Sequence, residues 1–218
     1  MLKLKRNQIE EAVSRMLEPR SPEPTLELRN RLKRLLETDR ALGRETNSRN
    51  LRDTNYAFFS NEPPGSGAEI WFSEYEAFAL LNGLLLMKHG WPQSFAVKVL
   101  RRVRSELERH HERVLAQDPK ELFDEERLQK VQPGDMLFDN TDPVLLTIVT
   151  KSSVLSNEQE EPYSCAVCRG IGEAANFARA NGSPVNAWST FDVVNAAHRL
   201  SQELSRTKPR RRGRGRGR

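Results

Sequence analysis

Three observations predict an α+β fold in three parts. Apolar residues recur at helical spacing through most of residues 1–116, two apolar runs typical of buried strands lie beyond residue 143, and the last twelve residues are mostly Arg, Lys and Gly. We therefore predict a mostly helical N-terminal module over 1–116, a small α/β unit over 117–206 and a disordered tail over 207–218. A chain of 218 residues is long enough to bury a hydrophobic core.

The first two helices are predicted from capping residues and apolar stripes. Asn7 and Glu10 have the spacing of a capping box, and the helix that they open ends before Pro19. Thr25 follows a Pro-rich loop and can cap the second helix. The second helix has an apolar stripe of Leu28, Leu32, Leu35 and Leu36, and its other faces carry the cations Arg29, Arg31, Lys33, Arg34 and Arg40.

Two short aromatic runs come next, at 56–59 and 68–72. The segment 61–67 between them is rich in Pro and Gly, so the pattern predicts a β-hairpin with a long loop. Ser73 and Glu76 then form the clearest capping box in the chain. The strongly apolar helix that follows is predicted to run to His89 and to end at Gly90.

A long amphipathic helix is predicted over 94–116. Its apolar stripe contains Val99 or Leu100, Val103, Leu107 and Val114, whereas Lys98, Arg101, Arg102, Arg109 and Arg113 are assigned to outer faces. Basic faces of this kind usually face water. The alternatives for this helix are contact with phosphates and pairing with a second copy in a homodimer.

Shorter elements are predicted beyond residue 116. The pair Asp118–Pro119 predicts the start of an acidic helix over 118–129. Two buried strands and one helix follow at 144–149, 163–168 and 172–180. Ser189 or Thr190 is expected to cap the last helix, and Pro209 prevents that helix from continuing.

The tail carries seven cations and no acidic residue: Lys208, Arg210, Arg211, Arg212, Arg214, Arg216 and Arg218. Subtracting these seven from the formal charge of +5 leaves −2 for residues 1–206. Because Arg is always charged and its guanidinium matches phosphate geometry, the tail predicts a nucleic-acid partner bound without sequence readout. The alternatives are a solubilising end and a contact with the acidic stretch 117–163.

A pattern around the fourth predicted helix resembles a known family. Phe72 is followed by Ser73, an acidic residue stands three positions later at Glu76, and Gly90 lies eighteen positions after Phe72. Over residues 1–100 the chain resembles MerR-type winged-helix DNA-binding domains.

The MerR resemblance implies a winged-helix-like N-terminal module. Helices 9–17 and 25–36 would form its helix-turn-helix, and residues 56–72 would form its wing. It also implies that four cations of the second helix face the DNA groove: Arg29, Arg31, Lys33 and Arg34. The alternative is a pair of ordinary core helices, in which case the same cations form a solvated face.

The remaining polar residues identify no catalytic or metal site. Cys165 and Cys168 form a single CxxC whose alternation is that of a strand, so we interpret both as structural, with metal binding and redox chemistry as alternatives. His110 and His111 point about 100° apart on a helix and do not form one site. We predict no cofactor and no enzyme. The competing enzyme hypothesis requires a pocket near Cys165, Cys168 and His198.

Composition narrows the setting of the protein. Two cysteines and no apolar run of about 18 residues favour a reducing, cytoplasmic location without membrane insertion, associated with the nucleoid if the source is bacterial. The leading hypothesis is a DNA-binding regulator, with duplex DNA the favoured partner and RNA possible. The competing hypothesis is a non-catalytic interaction or RNA-binding protein whose tail gives non-specific polyanion binding.

Overall fold

The computed structural model describes residues 3–45, 48, 50–63, 69–119, 143–150, 163–182 and 187–209. Helices and two small sheets alternate along the chain: β1 Leu4–Lys5, α1 Arg6–Leu17, α2 Leu26–Ala41, α3 Leu51–Thr54, β2 Trp71–Phe72, α4 Glu74–Lys88, α5 Gln93–Leu115, β3 Val144–Thr150, β4 Tyr163–Arg169, α6 Gly170–Asn181, β5 Ala187–Asp192 and α7 Val194–Ser205. The mixed helix and sheet content confirms the predicted α+β class. The predicted acidic helix over 118–129 falls almost entirely outside the described residues.

The first helix begins at a different residue from the one predicted. Gln8, not Glu10, reaches back to the start of α1, where its Oε1 accepts from the Lys5 amide at 3.0 Å. The prediction of a box between Asn7 and Glu10 is wrong because both side chains have other partners. Glu10 accepts from Arg6 at 2.7 Å, and Asn7 donates to the Lys208 carbonyl at 3.2 Å.

The caps of α2 and α4 confirm their predictions. Thr25 Oγ1 accepts from the Leu28 amide at 3.2 Å. At α4, Ser73 Oγ accepts from the Glu76 amide at 3.1 Å, and Glu76 Oε2 accepts from the Ser73 amide at 2.6 Å. Gly90 has a φ of 90°, a conformation that favours Gly, so the chain leaves α4 where the sequence predicts.

The aromatic hairpin prediction is wrong. Strand β2 pairs antiparallel with β1, with Leu4 opposite Phe72 and Lys5 opposite Trp71. The other predicted half, 56–59, is not a strand. Side chains occupy its backbone groups: the Asp39 carboxylate accepts from the amides of Ala57 and Phe58 at 3.1 and 2.9 Å.

Two buried arginines, Arg104 and Arg101, also stabilise the segment Tyr56–Ser60, which we call the clamped segment. Arg104 donates to the carbonyls of Tyr56, Ala57 and Phe59 at 2.8–3.2 Å. Arg101 pairs with Asp39 at 2.6 Å, and the two side chains are 2% and 0% exposed. The predicted placement of Arg101 on an outer face is therefore wrong. Burial raises the pKa of Asp39, and the opposite charge of Arg101 limits the rise.

The C-terminal elements form an antiparallel sheet in the order β4-β3-β5, which confirms the two predicted strands. Helix α6 confirms the helix predicted at 172–180. The predicted cap of the last helix is wrong, because Ser189 and Thr190 lie inside β5. Instead, the Asp192 carboxylate accepts from the Val194 amide at 2.8 Å at the start of α7.

One hydrophobic core extends through most of these elements. It includes Leu32 of α2, Phe78 of α4 and Leu100 of α5, and it continues to Ile148 of β3 and Leu200 of α7. Helix α7 packs on α1, α4 and α5. The last helix of the chain therefore lies against the first, and this contact fixes the place where the tail begins.

Candidate nucleic-acid interface

Helix α2 places its cations on the side opposite the core. Its Leu stripe is buried, and Asp39 on the same face is fully buried. Lys33, Arg34 and Arg40 are exposed. The sequence separates these two faces correctly because apolar and charged residues alternate along α2 with the helical period.

Most of the predicted groove-facing cations already have carboxylate neighbours. Arg31 pairs with Glu27 at 2.5 Å, and Lys33 lies 3.5 Å from Glu37. These pairs are exposed, and pairs of this kind stabilise a protein by about 0–1 kcal/mol. A phosphate can therefore replace Glu27 or Glu37 at small cost. No ion pair of Arg34 occurs within the described ranges.

Arg29 differs from the other three cations of α2. It is half-buried, and its guanidinium lies 3.9 Å from both Glu10 and Glu23. Its carbonyl accepts from Arg6 at 3.1 Å. Arg29 therefore joins the start of α2 to the first turn of α1, and its place is at the edge of the exposed cationic face.

The tail leaves the body beside that same turn of α1. Thr207 is only 8% exposed, and its Oγ1 accepts from Gln8 Nε2 at 3.2 Å. The Lys208 carbonyl accepts from Asn7 at 3.2 Å, while the side chain of Lys208 is exposed. The predicted start of the disordered tail at Thr207 is wrong, because Thr207 and Lys208 are bound to α1. We call this contact the tail anchor.

The six arginines of the tail lie outside the described residues: Arg210, Arg211, Arg212, Arg214, Arg216 and Arg218. Thr207 and Lys208, which precede them, are held beside the first turn of α1. Neither Gln8 nor Asn7 has a sequence signal that would identify it as the anchor, because both are ordinary polar residues in a first helical turn. Only the packing of α7 against α1 brings them to Thr207 and Lys208.

Helix α5 presents fewer exposed cations than the sequence predicts. Arg101 and Arg104 are buried. Of the other cations assigned to outer faces, Arg109 is exposed, and Lys98, Arg102 and Arg113 are half-buried. The apolar stripe that a homodimer through 94–116 requires is also occupied. It is buried within the chain, because α5 packs against α2, α3, α4, α7 and β4.

Cys165 and Cys168 do not form a common site. Residues three apart on a strand point to opposite faces, and β4 follows that rule. Cys165 lies in the main core with Ile148 opposite, whereas Cys168 faces α6 together with Leu145 and Ala174. Neither thiol forms a disulfide, and burial raises the pKa of Cys168. A single pocket cannot present both thiols, as the enzyme hypothesis requires.

The histidines of α5 are core residues. His111 is 5% exposed and packs on Phe78 and Tyr75, with ring centroids 4.6 and 5.8 Å apart. Burial, with a smaller contribution from His198, lowers the pKa of His111 to about 4. Burial also lowers the pKa of His110. Among the described residues, no three His, Cys, Asp or Glu side chains come together as a metal site.

Comparison with known proteins adds no assignment. No protein-family model matches the chain, and no curated protein is significantly similar to it. None of the helices in the described ranges has the length and apolar character needed to cross a membrane.

Proposed function

We propose that the protein binds nucleic acid, with duplex DNA the favoured partner, as a regulatory or nucleoid-associated factor. The observation that carries the proposal is the tail anchor. It fixes the start of an Arg-rich segment beside the first turn of α1, and Arg6 in that turn contacts Arg29 of α2 at 3.1 Å. The tail therefore begins on the side of the molecule where α2 starts.

The dimensions allow both elements to contact one phosphate backbone. Nine residues follow Pro209, and a chain of that length spans at most about 30 Å. Helix α2 has 16 residues and is about 24 Å long. The extended tail is thus longer than α2, and anchoring raises its effective concentration beside α1.

The two elements would have different tasks. Arg31, Lys33 and Arg34 project from a rigid helix, which is the arrangement that can enter a major groove or follow a strand. The tail supplies phosphate contacts that do not depend on base sequence. Glu27 and Glu37 hold Arg31 and Lys33 in the absence of ligand, so binding exchanges two carboxylates for two phosphates.

A salt titration of duplex binding tests the proposal. We expect the logarithm of the association constant to fall linearly with the logarithm of salt concentration, with a slope that decreases in magnitude by about 0.9 for each phosphate contact removed. Deleting residues 210–218 and, separately, replacing Arg31, Lys33 and Arg34 with Ala should each flatten this slope. The matched control is Arg179→Ala on α6, an exposed cation on another element.

The outcomes separate the functional classes. Duplex binding that both changes weaken indicates that the helix and the tail act together. If only the tail deletion matters, and single-stranded RNA competes as well as duplex DNA, the chain is a non-specific polyanion binder. The proposal is overturned if the intact protein shows no salt-dependent binding to any nucleic acid.

A further inference from the structure

Within the described residues the C-terminal sheet has two outer strands, β4 and β5, and β5 is the more exposed of the two. The amide of Val193, directly after β5, donates to the Val144 carbonyl at 3.0 Å. Antiparallel strands alternate between residues that bond to the neighbouring strand and residues that bond away from it. The register of β5 on β3 therefore directs the backbone groups of Trp188, Thr190 and Asp192 away from the sheet.

The other side of the sheet has the complementary pattern. The Gly170 amide donates to the Pro143 carbonyl at 2.8 Å, so the odd-numbered residues of β3 bond to β4. The even-numbered residues of β3 therefore bond to β5, which agrees with the hydrogen bond from the Val193 amide to the Val144 carbonyl. The Gly170–Pro143 and Val193–Val144 hydrogen bonds therefore agree on which backbone groups of β5 point toward β3 and which point away from it.

The two outer strands of this sheet are covered to different extents. In β4, Tyr163, Cys165 and Val167 are buried, and α5 and α6 pack against the strand. In β5, Trp188 is 46% exposed and Thr190 is also exposed. Natural edge strands are usually protected by Lys, Pro or a bulge, and β5 (AWSTFD) contains neither Lys nor Pro.

We propose that β5 pairs antiparallel with β5 of a second copy of this chain about a twofold axis at Thr190. The three outward residues are symmetric about Thr190, so Thr190 then lies opposite Thr190 of the second copy. Trp188 lies opposite Asp192 of the second copy, and the two three-stranded sheets become one sheet of six strands. The pairing satisfies the outward amides and carbonyls of both edges.

Side-chain chemistry favours a second copy over an unrelated strand. Trp188 and Asp192 project from the same face of β5, because residues four apart on a strand share a face. The indole N–H donor of Trp188 in each copy then lies beside the Asp192 carboxylate of the other copy, so the dimer contains two such pairs. Asp192 Oδ1 accepts from the Val194 amide at 2.8 Å and Oδ2 accepts from the Asn195 side chain at 3.4 Å. Each carboxylate oxygen has two lone pairs, so an indole N–H can add to these bonds.

Light scattering and sedimentation of the full-length protein over a wide concentration range test the pairing. We expect the mass to double as concentration rises. Thr190→Pro should keep the mass at that of the monomer, because it removes an amide that points away from β3, the position where edge strands tolerate Pro. Thr190→Lys should act in the same way through charge repulsion. The matched control, Asn176→Lys, adds a cation to an exposed position of α6 and should leave the doubling intact.

A cysteine cross-link tests the register. Opposed residues in an antiparallel pair have Cα atoms about 5.5 Å apart or closer, which a disulfide can bridge. Thr190→Cys should form a covalent dimer on mild oxidation much faster than Ser189→Cys, whose sulfurs would lie on a diagonal. Asn176→Cys measures the rate of collisional oxidation.

Each result decides the proposal. A protein that stays monomeric at every concentration overturns it, as does a dimer that persists in both folded Thr190 variants. Equal oxidation of the Thr190→Cys and Asn176→Cys variants overturns the proposed register. If Thr190→Pro alone unfolds, as circular dichroism would show, Thr190→Lys and the cross-link still decide between pairing and its absence.

Discussion

Helices α2 and α5 look alike in sequence and have opposite structural roles. Both combine an apolar stripe with a dense set of cations. In α2, Arg31, Lys33 and Arg34 lie on the solvent side, whereas in α5 Arg101 and Arg104 are 2% and 7% exposed. The comparison teaches that a cation beside an apolar stripe faces solvent only when no buried backbone group needs it as a hydrogen-bond donor.

The physical reason lies in the clamped segment. Tyr56–Ser60 passes through the core without forming a strand, so its amides and carbonyls need partners. Asp39 supplies acceptors and Arg104 supplies donors, while Arg101 neutralises Asp39. Helix α2 contributes the acid and α5 the two cations, so both helices carry charge into the core for the same segment.

The largest expected effect is the loss of Arg101. Arg101→Ala leaves the Asp39 carboxylate buried without its cation, and breaking such a pair costs about 3–5 kcal/mol. Urea denaturation measures the free energy of unfolding. Arg34→Ala on α2 is the control and should stay within about 0.5 kcal/mol of the parent. Equal effects at the two positions would contradict the comparison.

Protonation of His111 on α5 should destabilise the protein in acid. The pKa of His111 is about 4 in the folded protein and about 6.5 when unfolded, so the unfolded state binds the proton more readily. Stability is therefore lost as pH falls from about 6.5 to 4, by about 3 kcal/mol at the lower end. His111→Phe should reduce the pH dependence by that amount. An unchanged pH dependence would show that His111 is not buried as described.

Arg104→Lys tests whether geometry or charge holds the clamped segment. Arg104 Nη1 alone reaches the carbonyls of Tyr56, Ala57 and Phe59, and Nη2 donates to Ser60 Oγ at 3.2 Å. Lysine keeps the charge, but its side chain is one atom shorter and lacks the second nitrogen. We expect a loss of about 2 kcal/mol in unfolding free energy, measured by urea denaturation. Arg31→Lys on α2 is the matched change and should have almost no effect. A neutral Arg104→Lys would mean that charge alone is sufficient.

The smallest expected change in stability comes from two substitutions on α2 that should also strengthen binding to duplex DNA. Glu27→Gln and Glu37→Gln release Arg31 and Lys33 from their exposed pairs and should change unfolding free energy by less than about 1 kcal/mol. On the proposed function, both changes should tighten duplex binding and steepen its salt dependence. Glu173→Gln on α6 is the control. Weaker binding after the α2 changes would exclude the exposed face of α2 from the interface.

Sequence patterns predicted the regular elements that have strong local signals. The capping box of Ser73 and Glu76, the Leu stripe of α2 and the apolar runs of β3 and β4 depend on near neighbours, and all were confirmed. The hairpin prediction is wrong at residues 56–59. Aromatic residues favour strands on average, whereas the backbone of this segment forms hydrogen bonds with side chains of distant helices. The last cap failed because Ser and Thr are common in strands as well as at helix starts.

For the candidate site, the sequence predicted which residues are charged and which face of α2 is polar. It did not predict that Glu27 and Glu37 would compensate those charges, although both lie four residues from their partners. The tail anchor was beyond its reach, because Gln8 and Thr207 are 199 positions apart. The edge at β5 was missed for a different reason, since Ser189 or Thr190 is predicted to cap a helix.

The sequence by itself determined the helical stripes, the two buried strands and the Arg-rich composition of the C-terminus, because these depend on local periodicity and residue type. Only the tertiary structure decided that Arg101 and Arg104 enter the core, that Cys165 and Cys168 face apart, and that the tail begins beside α1. Buried polar groups need hydrogen-bond partners, and the fold can supply those partners from residues that are distant in the sequence.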